Sequence, residues 1–349
     1  MTDQRRMGTL DGLGAAALFG LSAPLAKHLL DSADPQLLAG LLYAGAALAL
    51  SFVMRVRPRA DEARLQGSDL SVLAVVTVTG GVLAPVAMLA GLDRTSAVAG
   101  SLLLNLEAPF TIVVALLVFG EHLDRASKAA ALLVVTGAVV LGFGPGAVRA
   151  DTLGALLIAA ACGLWAVDNN LTQRLTTRDP FAITRAKATV AALANLAIAT
   201  LRGNLWPNGS TCIAALALGA AAYGASVVLD AYALRHVGAA REAALFATGP
   251  YFGALAAVPL LGERITAADL VAAAAMAGGI TLLLLARHAH PHTHEPLPHE
   301  HRHRHDDPHH AHPHDPPVAD SHSHVHTHEP VTHAHPHDSD LHHRHRHGR

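Results

Sequence analysis

Cysteine is nearly absent: Cys162 and Cys212 are the two in 349 residues, and no C-x-x-C pair occurs. This excludes a disulfide framework and a cysteine-built metal centre. Charge is also scarce, at 15% Asp, Glu, Lys and Arg, against roughly a quarter in soluble domains. The formal net charge is -2 and no Lys/Arg stripe carries interleaved aromatics, which argues against nucleic acid as a partner. No Gly-x-x-x-x-Gly-Lys phosphate loop is present, so ATP is not expected as an energy source. The apolar runs hold no His-Glu-x-x-His and no plausible catalytic triad order, and their scattered Ser, His and Asp are expected by chance, so the chain does not read as an enzyme.

What the chain does have is hydrophobic length. Over half of it is apolar, and up to Ala286 it is mostly Ala, Leu, Val and Gly, with charges clustered between apolar runs. A bilayer core of about 30 Å needs roughly 20 apolar residues in a helix. Such helices are expected near 10–30, 36–54, 70–91, 95–118, 127–144, 152–172, 180–201, 211–234, 238–261 and 267–286. Breakers fall between them: Asp34-Pro35, Arg57-Pro58, Gly144-Pro145-Gly146, Asp179-Pro180 and Trp206-Pro207-Asn208-Gly209. Helix is preferred to strand because the runs far exceed barrel-strand length and a lipid-embedded backbone must satisfy its own hydrogen bonds. Arg5 and Arg6 precede the first run, but it is long and has no clean A-x-A exit, so it reads as a retained helix and not a signal peptide.

The chain repeats itself across about 142 positions. Phe119-Gly120-Glu121-His122-Leu123 matches Leu261-Gly262-Glu263-Arg264-Ile265, each Gly-Glu closing a span with an internal proline, Pro109 or Pro250. Gly12 falls opposite Gly154, and Gly137 opposite Gly279. The organisation expected is a cytoplasmic N-terminus over 1–9, five-helix repeats over 10–144 and 152–286, and a tail over 287–349.

With the N-terminus inside, the inner segments hold Arg5, Arg6, Arg55, Arg57, Arg59, Arg64, Arg125, Lys128, Arg174, Arg178, Arg235 and Arg287. The outer ones hold only Lys27, Arg94, Arg149, Arg202 and Arg264. That imbalance puts both termini in the cytoplasm and the chain in the cytoplasmic membrane. Five spans per half is an odd number, so the second half enters the membrane the opposite way round. The fold class is therefore an all-α polytopic membrane protein of ten transmembrane helices in two inverted five-helix repeats. Its partners are the lipid bilayer and a small-molecule substrate placed at the seam between the halves. A homodimer is compatible with this reading.

Two strings carry a family resemblance: Ser101-Leu102-Leu103-Leu104-Asn105-Leu106-Glu107-Ala108-Pro109-Phe110-Thr111 before the first Gly-Glu, and Ala233-Leu234-Arg235-His236-Val237-Gly238-Ala239-Ala240-Arg241 before the second. With the paired repeats, they resemble the drug/metabolite transporter superfamily, of the EamA type, over residues 8 to 287. The resemblance implies a ten-helix inverted-repeat carrier for metabolites or toxic organic compounds, often an exporter, and does not fix the substrate.

Ionisable residues inside spans are costly and usually face a cavity or a partner. Glu107 lies midway along the fourth span, with Asn105 two residues before it and Pro109 two after, where a proline frees backbone acceptors. It reads either as the acceptor of a substrate ammonium or coupling proton, or as protonated interhelical glue. Asp168, after Trp165 and before Asn169, and Lys187 in the seventh span are expected to pair, more as a structural ion pair than as a substrate site. Tyr223 and Asp230 are seven apart on one face of the eighth span and could line one cavity, though Asp230 also lies near enough to the span end to snorkel. Ser22 and Pro24, and Thr248, Gly249, Pro250 and Tyr251, mark helices that bend and expose carbonyls. Glu121 and Glu263 read as structural charges at the start of the following helices.

From His288 onward, 23 of the 26 histidines fall in 62 residues among Pro, Asp and Glu. This composition cannot bury a core and is expected to be disordered. His288, His290, His292, His294, His299, His301, His303 and His305 begin a dense imidazole set that suits Zn, Ni, Co or Cu. The tail reads as a transition-metal buffer or sensor, as a pH sensor, or as a solvated segment that binds metal adventitiously. Two alternatives therefore stand beside the organic-solute carrier: a transporter of transition metals or their chelates, and a non-transporting metal-responsive sensor or scaffold.

Overall fold

The structure is a computed structural model that describes residues 2–56, 65–119, 125–143, 151–175 and 178–285, and the backbone of four short tail segments. Ten helices have membrane length and apolarity: α1 Arg6–Leu30, α2 Pro35–Val56, α3 Gly67–Asp93, α4 Ala97–Leu117, α5 Arg125–Gly142, α6 Thr152–Leu175, α7 Pro180–Leu201, α8 Gly209–Leu234, α9 Arg241–Leu261 and α10 Ala267–Leu285. Helical backbone continues from α1 back to Thr2, through the segment expected to be an N-terminal extension. Large apolar side chains such as Leu48, Phe52, Leu117, Leu193 and Leu255 stay exposed along the spans. In water that would be an aggregation liability. In a bilayer it is the lipid-facing surface.

The helix starts are set by short polar residues in the turns. Asp179 accepts from the amides of Phe181 and Ala182 ahead of Pro180. Asn208 accepts from Thr211 N–H, and Ser96 from Ala99 N–H. Asp151 accepts from Leu153 N–H and from Arg94 Nε at 2.7 Å, and these two contacts hold its carboxyl below the usual carboxylate range. Each satisfies amides that a helix N-terminus leaves without partners.

The Gly-Glu marker has a specific job. Gly262 ends α9 in a left-handed conformation, φ 66°, which glycine adopts without the Cβ penalty. Glu263 then accepts from Ala97 N–H at 2.7 Å and Val98 N–H at 2.9 Å. It therefore caps α4 in the other half, not the helix that follows it as expected. The start of α10 is served by a reciprocal Thr266–Asp269 capping box. The reason is tertiary: α4 and α9 pack together, which lays the α9–α10 turn over the start of α4. Glu263→Ala is expected to lower stability by about 0.5–2 kcal/mol, measured by thermal unfolding in detergent, while Glu263→Gln retains part of it. The matching position Glu121 lies outside the described residues.

The two halves interleave. Helix α1 packs on α8 and α9 of the second half, and α6 packs in the equivalent way on α3 and α4 of the first. Helix α2 meets α7, and α5 meets α10, each pairing with its own repeat partner. The crossings are close because small residues line them. A Cβ on Gly45 would overlap the Leu216 carbonyl, and one on Gly219 the Leu42 carbonyl, so α2 and α8 touch backbone to backbone.

Helix interruptions fall at matching places in the two halves. Helix α3 contains a π-helical segment, Thr77–Leu83, and α8 another, Ala220–Ala225. Helix α4 tightens to a 3₁₀ turn at Leu104–Leu106, and α9 breaks between Phe246 and Gly249. The second pair has a legible cause. Pro109 and Pro250 lack the N–H that would bond the carbonyls of Asn105 and Phe246, and each ring crowds that carbonyl. Helix α1 remains helical through Pro24.

In the tail, β1 (Ala289–Thr293) pairs antiparallel with β4 (Thr332–Pro336), and β2 (Pro298–His303) with β3 (His322–Thr327). His299-Glu300-His301-Arg302-His303 has His-Glu-x-x-His order but lies on this extended backbone. There the outer histidines are roughly 13 Å apart, not one helical turn. The side chains of the tail histidines expected to bind metal lie outside the described residues.

Candidate functional site

The π segment of α3 builds the candidate site. A π turn widens the helix and leaves carbonyls misaligned for ordinary i+4 bonding, and Pro85 removes the amide that Gly81 O would otherwise accept from. Side chains from three other helices fill the gap. Tyr43 Oη of α2 donates to Gly80 O at 2.9 Å, Trp165 Nε1 of α6 donates to the same oxygen at 3.1 Å, and Asn195 Nδ2 of α7 donates to Gly81 O at 3.2 Å. Asn195 in turn accepts from Gln36 Nε2 at 2.6 Å, and both are buried.

Asp168 and Lys187 meet across this segment in a direct ion pair. Helices α6 and α7 both pack on the π segment, and its glycines let them approach: a Cβ on Gly80 would overlap the Asp168 carboxylate, and one on Gly81 would press on Ala191. The Asp168 side chain is only 4% exposed, and its other oxygen accepts from Thr172 Oγ1. One residue on, Asn169 Nδ2 donates to Glu107 Oε1 at 2.6 Å, and Asn170 Nδ2 donates to Thr111 O at 3.1 Å. These bonds fasten α6 to α4 just past its 3₁₀ turn. Glu107, Asp168, Asn169, Lys187 and Trp165 therefore form one constellation, tied to the irregular backbone of α3 and α4.

The other sequence candidates fall elsewhere. Asn105 does not reach Glu107; its amide turns to Leu102 O and to the Met276 sulfur. Tyr223 stacks on Tyr43, with ring centroids 5.9 Å apart and planes within 11°, and its hydroxyl reaches Ser22. It thus joins the constellation through Tyr43. Phe19 lies edge-on to Tyr223 and tilted against Phe246, extending the aromatic run to the α9 break. Asp230, on the same helix as Tyr223, meets Glu242 near the start of α9, and its Oδ1 is buried without a hydrogen-bond partner. Tyr251 Oη donates to Ala273 O of α10. Pro109 and Pro250 sit at the two breaks described above.

Tyr43, Gln36, Asn195, Gly80, Gly81 and Glu242 were missed by the sequence reading. Gly80-Gly81 followed by Pro85 was the available signal, since it marks a carbonyl with no donor four residues on. Gln36 and Asn195 were visible as lone amides inside apolar runs. Among the described residues, no group of three or more His, Cys, Asp or Glu is arranged to hold a metal ion.

The profile of the EamA-like transporter family matches twice, over residues 6–143 and 152–285. A protein described as "Uncharacterized transporter" from Methanothermobacter thermautotrophicus is 29% identical over 297 residues, covering 80% of this chain and 87% of that protein. A solved structure described only as "Crystal structure of protein" superposes with a TM-score of 0.59 at 22% identity, covering 80% of this chain and 98% of the other. That likeness extends to the fold alone.

Proposed function

The chain belongs to the EamA-like transporter family, a multi-pass membrane transporter family and not an enzyme family, and on that premise we propose that it is a secondary carrier. It moves a small organic solute across the cytoplasmic membrane, most readily outward, by alternating access at the seam between its halves, with no cofactor in the transport step. Both termini are cytoplasmic in this reading, and the histidine tail is an accessory that buffers or senses Zn, Ni, Co or Cu. The observation that carries the reading is the matched interruption of α3, α4, α8 and α9, with freed carbonyls and a charged cluster beside one of them. Broken helices whose polar backbone lines the space between inverted repeats are the usual construction of a carrier's binding site. Glu107, Asn169, Asp168, Lys187, Trp165, Tyr43 and Tyr223 line the path, and a rocking motion about the interleaved halves exposes it to either side.

Growth of a deletion strain under a panel of toxic organic solutes and transition metals tests this. Complementation is made with the full chain, with a chain ending at Arg287, and with Glu107→Gln. The full and tailless chains are expected to relieve sensitivity to an organic solute, and Glu107→Gln to fail at equal membrane abundance. A phenotype confined to metals and lost with the tail would overturn the organic-solute reading.

A further inference from the structure

The tail carries a duplication of its own. His292-Thr293-His294-Glu295-Pro296-Leu297-Pro298-His299-Glu300-His301 and His326-Thr327-His328-Glu329-Pro330-Val331-Thr332-His333-Ala334-His335 agree at seven of ten positions, 34 residues apart. The first copy runs from β1 into β2, the second from β3 into β4, and the two pair antiparallel with each other. Four residues separate β1 from β2 and four separate β3 from β4, so a single register runs through both ladders. That register sets histidine against histidine. On β1 and β4, His290 is opposite His335 and His292 is opposite His333. On β2 and β3, His299 is opposite His326, His301 opposite His324 and His303 opposite His322. Directly opposed residues of an antiparallel pair share a face, and so do residues two apart along a strand. Each ladder therefore gathers all its histidines on one face, four on the first and six on the second.

From this register we propose that each ladder is a site for one zinc-like transition-metal ion, held by four histidines from two successive cross-strand pairs, and that the ion holds the ribbon closed. The inference rests on the metal-accessory role given to the tail above, and adds which histidines act together and what their ligation does. Opposed Cα atoms lie about 4.5–5.5 Å apart, and successive histidines of one strand about 6.5 Å apart. Four histidine positions thus frame a patch of about 5 by 7 Å. That is the scale on which four imidazoles surround one tetrahedral zinc at about 2.0–2.1 Å. Glu300 falls on the opposite face, across from Val325, so the set is all imidazole. Such a set suits Zn, Ni, Co or Cu and not Mg or Ca. In the second ladder the middle pair, His301 and His324, belongs to either choice of two successive pairs.

The composition of the ribbon gives it little stability of its own. A lone two-stranded ribbon is marginal in water, and the face without histidine carries Glu300, Arg302 and Ser323 in the second ladder. Pro291, Pro298 and Pro336 bring no N–H to the pairing. Four ligands from two strands come together only when the strands pair, so the free energy of binding is also free energy of folding. The ribbon is tethered close to the bundle: β1 begins four residues past the end of α10, a reach of about 14 Å at most. Metal thus closes the tail beside the cytoplasmic end of α10, and its loss releases the strands.

The full chain in detergent, purified through a tag without histidine and stripped of metal with EDTA, tests the proposal. Zinc is titrated against a chelating indicator, the visible absorption of added cobalt(II) reports coordination, and trypsin reports the ribbon through cleavage after Arg302 of β2. About two zinc ions per chain are expected to bind tightly, one for each ladder. Cobalt is expected to give the intense visible bands of tetrahedral coordination, and zinc to slow cleavage after Arg302 by about tenfold or more. His301→Gln with His324→Gln removes the middle pair of the second ladder and leaves two pairs roughly 13 Å apart. The count is then expected to fall to about one, and the protection at Arg302 to be lost. His294→Gln with His328→Gln removes as many histidines from the same repeats but none from a ladder, and is expected to change neither. Equal losses in the two double variants, or tight zinc without tetrahedral cobalt bands or without protection of Arg302, overturn the proposal. The tail then binds metal by composition alone and its accessory role survives. No tight zinc at all overturns both the proposal and that role, and leaves the carrier reading to the growth test of the tailless chain.

Discussion

Lys187→Ala is expected to destabilise the bundle by about 3–5 kcal/mol, because it strands the nearly buried Asp168 carboxylate without its partner. The Thr172 hydroxyl is a neutral donor and does not replace the lost charge. Asp168→Asn combined with Lys187→Ala is expected to recover most of the loss, since an amide of the same shape needs no counter-charge. Titration with SDS in mixed micelles measures all three proteins, and the recovery in the double variant is the decisive comparison. A single Lys187→Ala variant as stable as the parent would mean that the pair is solvated in the membrane and does not hold α6 and α7 to the π segment.

Gly219→Val is the second large effect. Its side chain would have to occupy the space of the Leu42 carbonyl and backbone, and no rotamer relieves an overlap with main chain, so α2 and α8 must separate. A cost of about 1–3 kcal/mol is the ordinary scale for overpacking, and backbone contact places this site at its upper end. Gly45→Val opposes the same crossing from the other helix. The two changes together are expected to cost less than their sum, because the first already parts the helices. Gly163→Ala is the control: an added Cβ there meets nothing within 4 Å, and the variant is expected to gain about 0.5–1 kcal/mol from helix propensity.

Some of the site could be read from sequence because intramembrane charge is rare enough to stand out. Glu107, Asp168 and Lys187 are conspicuous in Ala- and Leu-rich runs, and the structure brings Asp168 and Lys187 together. The two proline-linked interruptions were likewise announced by Pro109 and Pro250. The π segments were not, because hydropathy is unchanged by one extra residue per turn, and only Gly80-Gly81 with Pro85 hinted at one of them. Asn105 misled for a related reason: two residues along a helix is about 200° around it, so closeness to Glu107 in sequence carried the amide to another face.

The sequence by itself determined the number of spans, their duplication and, through the odd count per half, the opposed sense of the two repeats. Length, apolarity and the helix's internal hydrogen bonding are local properties, and they suffice for that. Only the tertiary structure decided that the halves interleave, that Glu263 caps the helix of the other half, and that Tyr43, Trp165 and Asn195 converge on the carbonyls of Gly80 and Gly81. Those contacts join residues 37 to 166 positions apart, and pattern along one helix holds no record of which face another helix will meet. The pairing of Glu107 with a neutral amide and not with Lys187 belongs to the same class. It exists because Lys187 reaches Asp168 and Asn169 reaches Glu107, a division of partners fixed by how α4, α6 and α7 pack around a widened turn of α3.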